Sequence, residues 1–350
     1  MSGYPKMDVR NEQGVDRATQ AFLADAAQKD FSKAVDYFRH SGLLVLDDWK
    51  ASAHAMRQVA AANLSLARLL EGHVNARQLI KVHAGTSLRE RCLAEMDEGL
   101  LFGVWGADSD TPVSASGDTL SGAKRFASGL GQVDRAIVSA KTEDGQQLYV
   151  IDASDHRRQD GRAWNMSGMR ESCSGSFDCE GLHGIRLGKP DIYCVEPHFL
   201  GGTWRIAAVT LGGVVGLLER ASAELRRRKQ DEAEAHLLRL SPIAGQAVSA
   251  WAAILRAGEV ATGDEGAAQP EAAAVRSLAV RLLSEDIGQA TISAVERSIG
   301  LSMFDEESQI GCMARDLACY MRQAARDAFS IKVGRALLMG ERPLGDWLNG

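Results

Sequence analysis

The chain has 350 residues, 45% hydrophobic and 25% charged, with a formal net charge of −6 and an isoelectric point near 5.8. That length accommodates two or three packed units, and the acidic balance offers no basic surface for nucleic acid or another polyanion. No apolar run approaches the roughly 20 residues of a membrane span, so neither nucleic acid nor a membrane is expected as a partner.

Residues 1–20 are polar and mixed in charge, without the apolar centre of a signal peptide. Six cysteines stand at 92, 173, 179, 194, 312 and 319, and no Cys-x-x-Cys occurs. In a chain of this length the pattern predicts reduced thiols in a cytoplasmic protein. Cys173 and Cys179 are spaced to face each other across a turn, but that compartment argues against a disulfide. No His, Cys or carboxylate cluster has metal-ligand spacing, and no metal is expected.

Residues 15–97 read as helices, with Met56, Val59, Ala60, Leu64, Ala67 and Leu70 at helical spacing. Gly42, Gly72 and Gly85 are expected turn or close-packing points. From Gly99 the pattern changes. The apolar run Gly99-Leu-Leu-Phe-Gly-Val-Trp ends in a glycine turn; a polar loop, a Gly-Ala-Lys turn and a strand-like segment closing on Ser128-Gly129 follow. Leu148-Tyr-Val-Ile-Asp after the turn Glu143-Asp-Gly signals a hairpin. Ser174-Gly-Ser-Phe-Asp-Cys alternates, and no 12-residue helical pattern survives up to about 195. The insert is expected to be a small β-barrel or sandwich.

Residues 196–340 return to helix. Ile206, Val209, Gly213, Leu217, Ala221 and Leu225 define one apolar face, and Gly212, Gly213 and Gly216 on or beside it suggest a closely packed neighbour. Residues 262–270 read as a loop. Helical segments are expected at about 271–285 and 287–300, then from Arg315 to Leu338 with Leu317, Met321, Ala324, Ala328 and Ile331 inside. Four long helices fit a bundle. The tail from Glu341 is polar, with Pro343 as a stop. The expected domains are a helical block over 1–97, a β-barrel over 98–195 and a helical bundle over 196–350.

Lys124, Phe126 and Ser128 match a Gly-x-Lys-x-aromatic-x-Ser/Thr segment; Trp164, Gly168-Met169-Arg170, Ser174-Gly175 and Phe177 match a later Trp, Gly-Met-Arg, Ser and strand. In these features the chain resembles the acyl-CoA dehydrogenase superfamily of flavoenzymes, and the resemblance spans most of the chain. It implies the α+β three-part fold just described, FAD as cofactor between barrel and bundle, an acyl thioester of CoA or a carrier protein as substrate, and homodimers or homotetramers built through the bundle. It also places Trp105, Gly106, Phe126, Ser128 and Gly129 at the flavin, where fixed donors tune the electron-rich reduced ring. Glu71, His73 and Asn75 lie on the helix that borders the acyl pocket. A histidine padding a helix–helix contact is the alternative for His73, and barrel core and turn are the alternatives for Phe126 and Ser128.

Three departures from the family pattern bear on mechanism. The entry loop, Trp105-Gly-Ala-Asp-Ser-Asp, is short and lacks the usual Pro and Glu. The Arg-x-x-Phe-Gly segment for the adenine end is replaced by Arg226-Arg-Arg-Lys-Gln-Asp-Glu. This run reads either as a solvated charge run or, through Arg226 to Arg228, as a pyrophosphate contact. Neither usual catalytic Glu is present: no carboxylate lies between Asp316 and Asp327, or between Pro197 and Glu219.

Three readings follow. The first is an FAD-dependent oxidoreductase acting on a CH–CH bond of an acyl thioester, with Glu71 or His73 as relocated base. The second is a flavin monooxygenase or oxidase, with His73 or Asn75 positioning or protonating the oxygenated flavin. The third is a non-catalytic homologue that serves as a binding or assembly subunit.

Overall fold

The computed structural model describes residues 15–322 and 325–348. The chain divides into two compact units, one ending at Val195 and the other beginning at Glu196. Helices fill the first part of the chain, strands the middle and helices the last part.

Among the described residues of the first unit, five α-helices precede the strands: α1 (Arg17–Lys29), α2 (Phe31–Ser41), α3 (Trp49–Ala62), α4 (Leu64–His83) and α5 (Thr86–Asp97). The first four start on an Asp or Asn whose side chain accepts a hydrogen bond from the first turn: Asp16, Asp30, Asp48 and Asn63. Such caps satisfy amide groups that have no partner inside the helix. Gly42 ends α2 with φ of 83°, the left-handed cap that glycine adopts without strain. Met56, Val59, Ala60, Leu64, Ala67 and Leu70 are all fully buried. Their shared periodicity nonetheless crosses a break, because Asn63 is extended and separates α3 from α4.

Ten strands follow: β1 (Phe102–Trp105), β2 (Ser114–Ser116), β3 (Thr119–Ser121), β4 (Ala123–Ala127), β5 (Arg135–Thr142), β6 (Gly145–Asp152), β7 (Gln159–Asp160), β8 (Gly175–Asp178), β9 (Leu182–His183) and β10 (Ile185–Leu187). They form a seven-stranded sheet ordered β10-β6-β5-β2-β3-β9, with β1 parallel to β5, and a three-stranded sheet ordered β4-β8-β7. The expected hairpin is β5–β6, paired from Arg135↔Asp152 to Thr142↔Gly145. Helix α4 packs on β1. Its residues Ala76, Leu79 and Ile80 share a core with Phe102, Ile137, Leu148, Val150 and Leu187. Arg39 of α2 ties helices to strands by donating to Gly99 O at 2.9 Å, Gln132 O at 2.8 Å and Asp134 at 2.6 Å.

The second unit contains α6 (Trp204–Arg227), α7 (Glu234–Thr262), α8 (Asp264–Ala268), α9 (Pro270–Ile299), α10 (Gln309–Tyr320), α11 (Arg326–Leu338) and α12 (Leu344–Leu348). Helix α6 packs against α7 and α9, and Val209, Gly213, Leu217, Ala221 and Leu225 are buried as its apolar face requires. Leu200–Arg227 is long and apolar enough to cross a membrane by length and composition, with mean hydropathy 1.4. This corrects the expectation that no segment approaches that length: the lone Arg205 and the adjacent Glu219 and Arg220 interrupt the run without making it polar. Of its most apolar window, 61% is buried inside the protein.

Three other expectations change. The region 271–300 is one helix rather than two, because the Glu285-Asp286 pair lies inside α9. Glu285 is buried there between Arg281 at 3.1 Å and Arg326 at 2.6 Å. The expected last helix is two, α10 and α11, and Ala324 lies outside the described residues. The 262–270 loop contains the single-turn α8, with Pro270 opening α9.

Candidate functional site

Strand β4 carries the defining irregularity of the first unit. Its pairing with β8 runs Arg125↔Ser176 and then Ala127↔Gly175, so Phe126 is an extra residue in a bulge. Phe126 has φ of 56°, a costly conformation for a bulky residue, and the residue is 44% exposed. That ring meets Trp164 edge-on, with centroids 5.9 Å apart and planes at 82°. The Arg125 guanidinium lies 4.9 Å from its centre. The bulge also shifts the register by one, which sets Ser128 opposite Ser174 just past the paired strands.

Ser128 Oγ lies 3.1 Å from Ser174 Oγ, and Ser174 Oγ lies 2.8 Å from Ser172 Oγ. The Ser128 carbonyl accepts the Trp105 indole N–H at 3.1 Å, and Trp105 packs on Phe177 at 5.0 Å. Gly129 takes φ of 81°, and a Cβ there would fall 2.7 Å from Val133 Cγ2. Its N–H donates to Ser172 O at 2.8 Å. Trp105, Ser128, Arg68, Leu69 and Gly72 line a small, partly open hollow of about 10 Å³, room for at most a single water. The structure therefore gathers Trp105 and Ser128 beside α4. Phe126 instead stands on the surface with Trp164. Gly106 is exposed, and its carbonyl faces the fully buried Lys124 ammonium at 3.5 Å. The same ammonium binds Asp108 at 2.5 Å and Ser139 at 3.1 Å.

The polar residues of α4 are bound within the unit. His73 is fully buried, with Nδ1 accepting the Phe102 N–H at 3.0 Å and Nε2 2.8 Å from Leu44 O. A backbone N–H can only donate, so Nδ1 is unprotonated and Nε2 carries the proton. Burial pushes the pKa of this ring down to about 4. Glu71, also buried, accepts from Arg68 and from Asn75, its neighbours one turn away on either side. Asn63 Nδ2 bonds Glu171 at 2.6 Å and fixes the start of α4 to the turn that carries Ser172.

In the second unit Arg226 is exposed at the end of α6. Arg227 makes two 2.7 Å bonds to Glu224, while Arg228 reaches Glu224, Ile299 O and Ser302. Arg227 and Arg228 line a hollow of about 560 Å³ with Arg220 and Ser308. Glu196 stands one residue before the interval in which the sequence shows no carboxylate. It accepts from Leu200 N at 3.1 Å and Gly201 N at 3.0 Å, and burial nonetheless pushes its pKa up. Sequence reading also missed the part played by Ser172. The Ser-x-Ser spacing is its only signal, and that spacing gains meaning only once the bulge sets the register.

No protein-family profile matches the sequence, and no curated protein does. Solved structures do match, and they define the fold as that of the acyl-CoA dehydrogenases. FMN-bound TdsC from Paenibacillus sp. A11-2 aligns over 94% of this chain and 98% of its own, with TM-score 0.79 at 18% identity. Butyryl-CoA dehydrogenase from Megasphaera elsdenii aligns over 96% and 100%, with TM-score 0.77 at 16% identity. The methanesulfinate monooxygenase MsuC from Pseudomonas fluorescens aligns over 97% and 98%, with TM-score 0.75 at 17% identity.

Proposed function

We propose that this chain is a flavin-dependent oxidoreductase of the oxygen-using kind, a monooxygenase or oxidase. The observation that carries this reading is the bonding of α4. Abstraction of an α-proton needs a base with a free lone pair within hydrogen-bond reach of that carbon. Both His73 nitrogens are committed to the backbone, and Glu71 is held by Arg68 and Asn75. Oxygen chemistry makes no such demand. TdsC, described as a dibenzothiophene monooxygenase, and MsuC support the same reading by their fold.

The residues fit a flavin. Exposed Phe126, beside the half-buried Trp164, offers an aromatic face, and the Ser128 hydroxyl, which accepts from Ser174, keeps its own proton for a ring heteroatom. A bound flavin would supply two-electron transfer and, once reduced, reactivity toward dioxygen. FAD is the form the resemblance implies, with Arg226 toward the pyrophosphate; FMN is the form in TdsC.

A second reading, dehydrogenation of an acyl-CoA or acyl-carrier-protein thioester, draws on two carboxylates, Glu71 and Glu196. It requires Glu71 to leave Arg68, or Glu196 to serve as the base. Exposed apolar side chains on α7 and the C-terminal segment, Leu238, Val248, Met339 and Leu348, support a homodimer or homotetramer.

The test begins with the visible spectrum of purified protein and chromatography of the released cofactor. The flavoprotein is then mixed anaerobically with butyryl-CoA and, separately, reduced and supplied with dibenzothiophene and labelled dioxygen. Label in the product, with no anaerobic bleaching by the thioester, is expected. Anaerobic bleaching that Glu71→Gln or Glu196→Gln abolishes would establish the second reading instead. Protein that takes up neither flavin would leave a binding subunit.

A further inference from the structure

Side chains along a strand alternate between its two faces. Strand β4 departs from that rule: Lys124 is buried, Arg125 and Phe126 are both exposed, and Ala127 is buried again. The bulge is the cause. Phe126 is the extra residue between the pairs Arg125↔Ser176 and Ala127↔Gly175, so it shares the exposure of its neighbour instead of opposing it. Two consecutive residues thereby build one surface, a guanidinium 4.9 Å from the centre of an aromatic ring. Phe126 stays exposed even with Arg125 and Trp164 both against it.

Arg125 carries a charge that its surroundings do not cancel. Among the described residues no carboxylate lies within ion-pair distance of it. Its neighbours differ. Lys124 is matched by Asp108 at 2.5 Å, Arg157 by Asp155 and Arg162 by Asp160, the last two at 2.9 Å. The register sets Asp160 in the same row as Arg125, on the far side of Ser176. That carboxylate is two strand spacings away, roughly 10 Å, and Arg162 binds both of its oxygens. The aromatic face therefore carries one net positive charge.

We infer that Arg125 is a positioning residue whose charge, held against Phe126, favours reduced, anionic flavin over oxidised flavin. This rests on the flavin reading above. Two electrons and one proton convert the neutral oxidised ring into a ring with one negative charge, and the reductant supplies both electrons. A fixed cation beside the ring separates the two forms by charge, which packing on Phe126 cannot do. The phosphate of the cofactor is common to both forms and cancels in their ratio. Arg125 is exposed, so water screens it and the effect is modest.

The experiment compares the full-length protein with Arg125→Met, Arg125→Lys and Arg125→Glu. Binding of FMN and FAD is measured for the oxidised form and, anaerobically, for the dithionite-reduced form, together with the midpoint potential of the bound flavin. Arg125→Met keeps an apolar stem over Phe126 and removes the charge. It should weaken reduced-flavin binding about fivefold while oxidised binding stays within about twofold. A fivefold ratio lowers a two-electron midpoint potential by about 20 mV, tenfold being about 30 mV. Arg125→Lys should stay near the wild type, and Arg125→Glu should lower the potential further. The shift should shrink as salt rises from about 0.1 M to about 1 M and the screening length falls from about 10 Å to about 3 Å. Equal weakening of both forms, no change in either, or a shift that salt leaves unaltered overturns the inference while leaving flavin binding intact. A wild-type protein that binds neither form overturns the flavin reading and this inference with it.

Discussion

His73 gives the sharpest test of how α4 is held. The folded protein keeps the ring neutral, with a pKa pushed down to about 4, against an ordinary value of 6.5 in the unfolded chain. Between those values the unfolded chain binds the proton that the native state refuses. Its contribution to stability is therefore fully present above pH 6.5 and is lost as pH falls toward 4. At pH 4.5 the loss is about 2–3 kcal/mol, a large share of a typical folding free energy. His73→Gln supplies one acceptor and one donor for Phe102 N–H and Leu44 O but does not titrate in this range. Stability is measured by denaturant at pH 7 and pH 4.5 for both proteins, and every other titration common to them cancels in the difference. Because two units need not unfold together, hydrogen exchange at the Phe102 amide gives the local readout. The wild type should lose about 2–3 kcal/mol more than the variant over this interval. Parallel profiles would show that His73 is not held neutral by these two backbone bonds.

Other side chains carry comparable predictions. Asp108→Ala strands the fully buried Lys124 ammonium, whereas Lys124→Met leaves a carboxylate that water reaches. The first should cost about 3–5 kcal/mol and the second clearly less, and a reversed order of denaturation midpoints would refute this. Glu285→Ala leaves Arg281 buried without its ion pair and leaves Arg326 only the exposed Asp286, so α11 should lose protection from exchange, with a stability loss of about 3–5 kcal/mol. Unchanged protection of α11 would show that this network does not hold it. Burial pushes the Cys92 thiol up to about 11 and Cys179 up to about 12, while Cys194 is exposed. Native-state labelling at pH 8 should therefore modify Cys194 first and reach Cys92 and Cys179 only on unfolding; fast labelling of Cys179 would refute its burial.

The parts of the fold legible in the sequence depend on neighbours close along the chain. The β5–β6 hairpin follows from Glu143-Asp-Gly between two apolar runs, and the end of α2 follows from Gly42. The Met56–Leu70 periodicity hides the Asn63 break because the apolar phase survives a cap. Glu285-Asp286 resembles a helix end because two adjacent carboxylates suggest solvent. Glu285 is buried by Arg281, four residues before it, and by Arg326, 41 residues after it, a partner no local pattern reveals. The Phe126 bulge is equally hidden, since the sequence gives no sign that one strand has an extra residue, yet it decides that Ser128 meets Ser174.

The same limit explains why α4 suggests catalysis in sequence. Glu71, His73 and Asn75 are the residue types that carry protons, and their spacing sets them within two turns of one helix. Their availability depends on partners elsewhere in the chain. His73 is closed off by Leu44 and Phe102, each 29 residues away, while Glu71 is closed off by side chains of its own helix. A residue that completes the bonding of its surroundings can do proton chemistry only by breaking that bonding, at about 1–3 kcal/mol for each buried group left unpaired. Ser128 differs in kind, because its hydroxyl accepts from Ser174 and keeps its own proton to donate outward. Judged by what each side chain still has to offer, Ser128 and the exposed Phe126 are better guides to a bound ring than the α4 residues are to a base.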